Sequence, residues 1–284
     1  MPNIGTLVKD IYDMMEGKRD PILTEQVVDA FAQDVAGIIK DRLMSAKDKR
    51  GHHLRMSQLG TECQRKLWYQ YNQPEKAEPI QPWTLIKFLY GDVIEALFLM
   101  LAEAAGHEVK GRQTKLEVEG VPGHRDCIID GHLVDVKSAN SRGFVKFKQH
   151  ELEKDDPFGY LTQLNLYLLG SQDDPDLEDK RYASFLAVDK ELGHVVLDTY
   201  EREHFVDYNK KVLDIKSMVL EPVAPKRCYE PVPDGKSGNL ALGLTCRYCD
   251  HKRTCWPGMR TFMYSNGPKF LVEVKREPDV PEIK

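Results

Sequence analysis

The stretch GHRDCIIDGHLVDVKSA, residues 123–139, reads as two strands around a tight turn. Asp130-Gly131 is a dipeptide that favours a two-residue hairpin loop, and apolar residues fill both sides of it. With those two residues as the loop, Ile129 faces His132, Ile128 faces Leu133 and Asp126 faces Asp135. Side chains two residues apart on a strand share a face, so Lys137 joins Asp135, and His124 is its expected cross-strand neighbour. Directly opposed Cβ atoms lie about 4.5–5.5 Å apart, where like charges destabilise the pair. The hairpin therefore gathers two carboxylates, an ammonium and an imidazole on one patch. A divalent cation is the simplest agent to offset the carboxylate repulsion.

Hydrolysis of a phosphodiester needs such a cation, to neutralise charge on the phosphate and to generate hydroxide near neutral pH. Oxygen ligands suit magnesium or manganese. Asp126 and Asp135 supply two ligands, the backbone carbonyl of Val136 a third, and Glu95, within LIKFLYGDVIEALF, a further carboxylate. His124 is a weaker candidate ligand. Lys137 is placed to orient the attacking water or to stabilise the transition state. A D-x-K tripeptide alone also fits a solvated strand edge; the hairpin register, by adding Asp126 at a defined position, favours the chemical reading.

Composition sets the frame. The 284 residues are 41% hydrophobic and 30% charged, ordinary for a globular chain that buries a sizeable core. The longest apolar run, Ile94 to Ala105, is broken by Glu95 and Glu103 and falls short of the roughly 18–20 residues of a membrane span. No basic-then-apolar leader opens the chain, so the expectation is a cytoplasmic protein with no membrane partner. A net charge of −5 argues against a general nucleic-acid coat but leaves room for a local basic groove.

Along the chain, residues 1–55 read as an N-terminal helical extension. In it Val27, Val28, Phe31, Val35, Ile38, Ile39 and Leu43 form a stripe at helical spacing, read as core packing. A basic connector, KDKRGHHLR, follows. Residues 56–225 alternate helices and strands: a helix after Ser57, a long helix at about 84–105, short strands near 107–110 and 115–119, the hairpin, two helices, the strand pair RYASFLAVDK and HVVLDTYE, and a helix to Glu221. The fold class expected is α/β, a central mixed sheet flanked by helices. Residues 226–265 shift to Pro, Gly and Cys, and 266–284 read as a flexible tail.

Taken in order, Gly91-x-x-x-Glu95, Gly123-His124-x-Asp126, Asp135-x-Lys137 and Gln163-x-x-x-Tyr167 resemble the motifs of the PD-(D/E)XK nuclease superfamily, in its RecB-type branch. Two positions depart from the commonest pattern: Glu95 stands where histidine is frequent, and Arg125 precedes Asp126 in place of proline. The resemblance implies a restriction-endonuclease-like core that cleaves DNA with Mg2+ or Mn2+. In it Glu95, Asp126 and Asp135 are metal ligands, Lys137 is the catalytic lysine, and Gln163 and Tyr167 line the site near DNA. Gln163 and Tyr167, at i and i+4, also fit a simple packing pair.

Cys246, Cys249 and Cys255 supply three thiolates at C-x2-C-x5-C spacing. A fourth ligand can come from His251 with zinc, from Cys228, or from Cys63. One cysteine before the core and three after it resembles the iron–sulfur nucleases, the AddB-type subunits and the Cas-four exonucleases. There Cys63, Cys246, Cys249 and Cys255 would hold a [4Fe–4S] cluster, with Zn2+ as the alternative. Cys127 reads as a core residue and Cys228 as structural. Arg65 and Lys66, beside Trp68 and Tyr69, suit phosphates and bases of a single strand, while both aromatics equally suit packing.

These features lead to the expectation of a metal-dependent DNA exonuclease acting from single-stranded ends. The rivals are a DNA-trimming endonuclease of CRISPR adaptation and a nucleic-acid-binding scaffold that does not cut. No G-x-x-x-x-G-K-[ST] loop is present, so unwinding would fall to a separate helicase or recombination protein.

Overall fold

Asp130 and Gly131 both adopt positive φ, 50° and 76°, as a two-residue hairpin turn of the primed type demands. In the computed structural model, which describes residues 2–44, 51–203 and 206–283, the strands around that turn pair Ile129 with His132, Ile128 with Leu133 and Cys127 with Val134. The register is the expected one. Asp130 anchors the turn further: its carboxylate accepts from the Glu108 backbone N–H (2.9 Å) and meets His107 Nδ1 (2.6 Å).

Helices α1 (Leu7–Met15), α2 (Glu25–Met44), α3 (Gln64–Asn72) and α4 (Pro82–Ala104) come first along the chain. Strands β1 (Val109–Lys110), β2 (Lys115–Val118), β3 (Val121–His124), β4 (Cys127–Ile129) and β5 (His132–Ala139) follow. Then come α5 (Ser141–Lys148), α6 (Tyr160–Gly170), β6 (Tyr182–Asp189), β7 (Val195–Glu201) and α7 (Tyr208–Leu220). Two compact units divide these elements. The first comprises Met1–Lys49, Leu54–Gly60 and Ile80–Leu213; the second comprises Arg50–His53, Thr61–Pro79 and Asp214–Lys284.

The first unit is α/β. Its sheet has the order β1-β4-β5-β6-β7, with β5 and β6 parallel and the other pairs antiparallel. Period-two alternation divides the two faces. Cys127, Ile129, Val134, Val136, Leu186 and Val188 form one buried cluster with Leu7, Ile11 and Met14 of α1 and Phe98, Leu99 and Ala102 of α4. On the other face Phe185 meets Phe147 of α5 edge-on at 5.5 Å and Tyr160 of α6 at 6.1 Å.

Several expectations change. The N-terminal segment is no separate extension, because the apolar face of α1 covers the central sheet. The stripe on α2 is not core: α2 has no buried residue, and Val28, Ile39 and Leu43 are exposed while Val27, Phe31, Val35 and Ile38 are half-buried. A stripe at helical spacing fixes which face is apolar, not how fully a neighbour covers it. Of the basic connector, residues 47–50 lie outside the described residues. His124 leaves the main sheet: it pairs with Lys115 in the separate hairpin β2–β3 and is exposed, so it is not the neighbour of Lys137.

The second unit contains α3, β8 (Val232–Pro233), β9 (Leu240–Ala241), α8 (Leu244–Arg247), α9 (Lys252–Cys255), β10 (Arg260–Tyr264), β11 (Gly267–Glu273) and β12 (Glu282–Ile283). Its five strands form an antiparallel sheet around Ala241, Phe262 and Leu271. The expected flexible tail is thus structured. Pairing of β11 and β12 with β10 satisfies its backbone, and the ring of Phe262 and the side chain of Leu271 are buried between the strands. Among the described residues no helix is long and apolar enough to cross a membrane.

Arg125 sets where β4 begins. Among the described residues it is the largest side chain that is fully buried, at 1% exposure. Its guanidinium donates to Ser171 Oγ at 3.0 Å and Asp174 Oδ2 at 2.6 Å, and its backbone N–H donates to Thr114 O at 3.1 Å. Removing one partner of a buried ion pair costs about 3–5 kcal/mol. Arg125→Met is expected near the lower end, since Asp174 is partly solvated, and thermal unfolding measures it. Burial opposes the ionised Asp174, but the backbone N–H of Asp176 and Arg125 outweigh it and hold its pKa below the ordinary value. Its contribution to stability is therefore present above about pH 4 and lost as pH falls through the depressed value. The variant should lose less stability over that acid range than the wild-type protein.

Candidate active site

The face of β5 opposite the α1–α4 cluster carries Asp135 and Lys137. Asp135 is 1% exposed and forms an ion pair with Lys137 Nζ through Oδ2. Its Oδ1 is buried and receives no hydrogen bond among the described residues. Lys137 Nζ lies 5.2 Å from the Tyr160 ring centroid and 6.0 Å from that of Phe185, so aromatic faces support its charge. Asp126 stands one residue before β4, on the Asp135 side by alternation. Its Oδ2 accepts from the Val136 backbone N–H at 2.8 Å, which ties the two strands together where the regular ladder ends.

Glu95 reaches the group from α4. Its Oε1 accepts from Gln113 Nε2 at 2.6 Å, and the backbone N–H of the same Gln113 donates to Asp126 O at 2.9 Å. Gln113 thus holds two candidate ligands at once, from a left-handed φ of 49°. Neither its residue type nor its spacing marks it in the sequence.

These groups lie within one another's electrostatic field. Burial pushes Glu95 up to about 7, the Asp135 and Asp92 carboxylates add to the rise, and the Gln113 hydrogen bond opposes it. Asp126 is raised well above an ordinary aspartate by burial, then by Asp135 and Glu95. Burial works against the Lys137 ammonium, but Asp135 and Asp126 outweigh it, so the lysine stays charged.

On α6, Gln163 Nε2 donates to Tyr167 Oη at 2.8 Å. Tyr167 is 4% exposed, and burial followed by the field of Asp135 raises its phenol. The pair therefore sits at the same group, with Gln163 the more accessible member. α6 is placed by Gly159, at φ 71°, whose Cα-bound hydrogens face Gly60; a Cβ there would stand 2.3 Å from Gly60 Cα. Among the described residues no three His, Cys, Asp or Glu side chains stand as a ready metal-binding group. Gln113, the Val136 N–H and Lys137 each hold a different carboxylate of the three.

In the second unit, Cys63 immediately precedes α3, Cys246 lies in α8, and Cys255 ends α9. Burial pushes Cys63 up to about 12, with the Cys228 and Cys249 thiols adding to the rise. Burial pushes Cys249 up to about 11, opposed by a backbone hydrogen bond at His251 and by the nearby Lys66 ammonium. Cys246 is raised by burial, then by Cys255 and Cys228. Five thiols therefore share one neighbourhood, and Cys228, read as structural from sequence, belongs to it. Cys127 is 0% exposed in the sheet core.

Arg65 is engaged internally, donating to Pro225 O at 2.5 Å and Tyr69 Oη at 2.8 Å. Trp68 and Tyr69 are buried. Trp68 Nε1 donates to Glu221 O at 2.8 Å, and Tyr69 stacks on His251 at 5.6 Å. Their aromatic faces pack within the unit and are not available to a strand.

No family model and no curated protein matches this chain. Among solved structures, that of SSO0001 is similar at a TM-score of 0.39 and 15% identity, over 79% of this chain and 95% of that one. A likeness at that level defines neither family nor activity.

A carboxylate whose pKa is raised on folding stabilises the protein below its unfolded value and loses that stabilisation as pH rises through the folded one. For Glu95 the window runs from about pH 4.5 up to about 7. Glu95→Gln keeps the acceptor for Gln113 and removes the charge. Without added metal it should melt higher than the wild-type protein at pH 8, by roughly 2 °C for each kcal/mol recovered. The difference should vanish below pH 4.

Proposed function

We propose that the first unit is a metal-dependent deoxyribonuclease, hydrolysing phosphodiester bonds as an exonuclease on single-stranded ends. The observation that carries the reading is the meeting of Asp126, Asp135 and Lys137 on one sheet face beside Glu95, with two of the carboxylates pushed well above their ordinary pKa. The buried Asp135 Oδ1, which receives no hydrogen bond, fits a cation, as does the hard oxygen character of the donor set. Mg2+ or Mn2+ would be held by Glu95, Asp126, Asp135 and the Val136 carbonyl, and would supply charge neutralisation and an acidified water.

The chain's own residues divide the remaining work. Lys137, charged and braced by Asp135 and Tyr160, stabilises negative charge as it builds on the phosphate oxygens. Gln113 orients Glu95 and fixes the Asp126 backbone. Gln163, bonded to Tyr167, presents its remaining polar atoms to the substrate. The restriction-endonuclease-like core belongs to this same reading. In the second unit, Cys63, Cys246, Cys249 and Cys255 would hold a [4Fe–4S] cluster, or Zn2+ with Cys228 or His251 among the alternatives. Thiols raised by burial and by one another are the kind of donor set that a cation relieves. Such a centre would act as a clasp, closing the long chain segment between Cys63 and Cys246, and Lys66 beside it remains a candidate DNA contact.

Cleavage of labelled linear and circular oligonucleotides with Mg2+, Mn2+, Ca2+ or EDTA tests the reading. Magnesium and manganese should support hydrolysis, and calcium should bind without catalysis because its bonds are longer and its geometry looser. Lys137→Met should lower the rate on the order of 10²–10³-fold, and Asp126→Ala or Asp135→Ala should abolish it with the fold intact. Full activity in any of the three, or cleavage in EDTA, would refute the site.

Anaerobic purification tests the second unit. The protein should be brown, with about four irons per chain, and Cys63→Ala should lower metal content and melting temperature together. Stoichiometric zinc in place of iron would refute the cluster, and an unchanged melting temperature would refute the clasp.

A further inference from the structure

A pocket of about 230 Å3 opens beside Lys137 in the first unit, between the end of β5, α5, the segment leading into α6 and Lys190. That volume is below the roughly 300–1,000 Å3 of pockets that take drug-sized ligands. It suits one ring system, not a run of stacked bases. Its lining combines aromatic rings with ammonium groups: Phe147, Phe158 and Tyr160 with Lys137, Lys146 and Lys190.

Two details point to a planar, anionic ligand. Phe158 is 67% exposed, a large apolar ring left in water, and it stacks on Tyr160 with centroids 5.4 Å apart and planes 30° apart. One face of a ready stacking platform is therefore uncovered. Lys146 is paired with Asp155 at 2.5 Å, whereas Lys190 is exposed and makes no ion pair among the described residues. The acid in the lining, Asp156, does not cancel it: its two oxygens accept from the first backbone N–H groups of α6 at 2.9 and 2.8 Å.

We propose that this pocket holds one unpaired nucleobase of the substrate strand, stacked on Phe158, with an adjoining phosphate at Lys190. The inference rests on the nuclease reading, with its single-stranded substrate, and adds to it the residues that hold a base and its phosphate. A base fills the pocket only when it is out of a duplex stack, so the pocket selects strands with free or displaced nucleotides next to the reacting phosphate. Base–aromatic stacking is tolerant of sequence, so the pocket reads single-strandedness and not base identity.

Fluorescence anisotropy of the full chain with a short labelled oligothymidylate, in EDTA, tests this apart from cleavage. Phe158→Ala and Phe158→Leu should each weaken binding on the order of tenfold, Phe158→Trp should retain it, and all three should melt as the wild-type protein does because Phe158 is exposed. Lys190→Ala should weaken binding with a shallower salt dependence. The same label in a blunt duplex should show no difference between wild type and Phe158→Ala. Equal oligothymidylate affinity in Phe158→Ala and wild type, equal losses on duplex and single strand, or no binding by the wild type would overturn the proposal. A wild-type protein that cuts DNA while Phe158→Ala binds as tightly as it does would overturn the pocket alone. One that binds through Phe158 but cuts nothing in Mg2+ or Mn2+ would overturn hydrolysis alone.

Discussion

Keeping three carboxylates and an ammonium in a protein interior is the constraint on which the first unit turns. Each of those charges loses water on folding, and mutual attraction repays the loss only where geometry is good and the remaining polar atoms are bonded. One pair, Asp135 with Lys137, is compensated directly. Asp126 is compensated by a backbone amide and Glu95 by a side-chain amide. Both remain raised in pKa, so the compensation is incomplete. Arg125 and Gln113 are the scaffolding of this arrangement. The first anchors the start of β4 through Ser171 and Asp174, and the second bridges α4 to the Asp126 backbone. A cation would supply the compensation that the protein lacks.

The second unit is held by several smaller groups of contacts. Its sheet is built around Ala241, Phe262 and Leu271 with partly buried neighbours, and Leu67, Trp68, Tyr69, Leu242 and Met259 are buried elsewhere in the same unit. Polar and ring contacts add to these. Arg227 lies 3.9 Å over the Trp256 ring and donates to Cys255 O, and Lys252 is paired with Glu78. These interactions fasten the segments that bear the cysteines to one another.

Legibility in the sequence follows the range of the signal. The β4–β5 hairpin is readable because alternation has a period of two and Asp130-Gly131 admits few registers, so register alone assigns Asp126, Asp135 and Lys137 to one face. The i, i+4 spacing of Gln163 and Tyr167 is likewise reliable, since helix geometry fixes it. His124 is misplaced when the ladder is extended past Arg125, where the chain turns away into the β2–β3 hairpin. The α2 stripe misleads because periodicity reports a face and not its covering. The terminal strands escape because charged residues between short apolar runs look like tail until pairing supplies the partner. Gln113 carries no local signal at all: its role exists only once Glu95 and Asp126 are brought to either side of it. Five thiols in one neighbourhood are likewise hidden, because Cys228 has no motif spacing to the others.

The two hairpins that precede α5 differ in what depends on their register. β2 and β3 turn through Glu119-Gly120 and pair with each other, with Leu116, Val118 and Val121 buried, so a slip between them would turn apolar residues outward but leave Asp126 paired to Val136 as before. The Asp130-Gly131 turn has no such freedom. A single insertion or deletion that slipped β4 by one residue against β5 would rotate Cys127 and Ile129 toward the charged face and Asp126 and Ile128 toward α1 and α4. The length of that turn is accordingly fixed by chemistry several residues away.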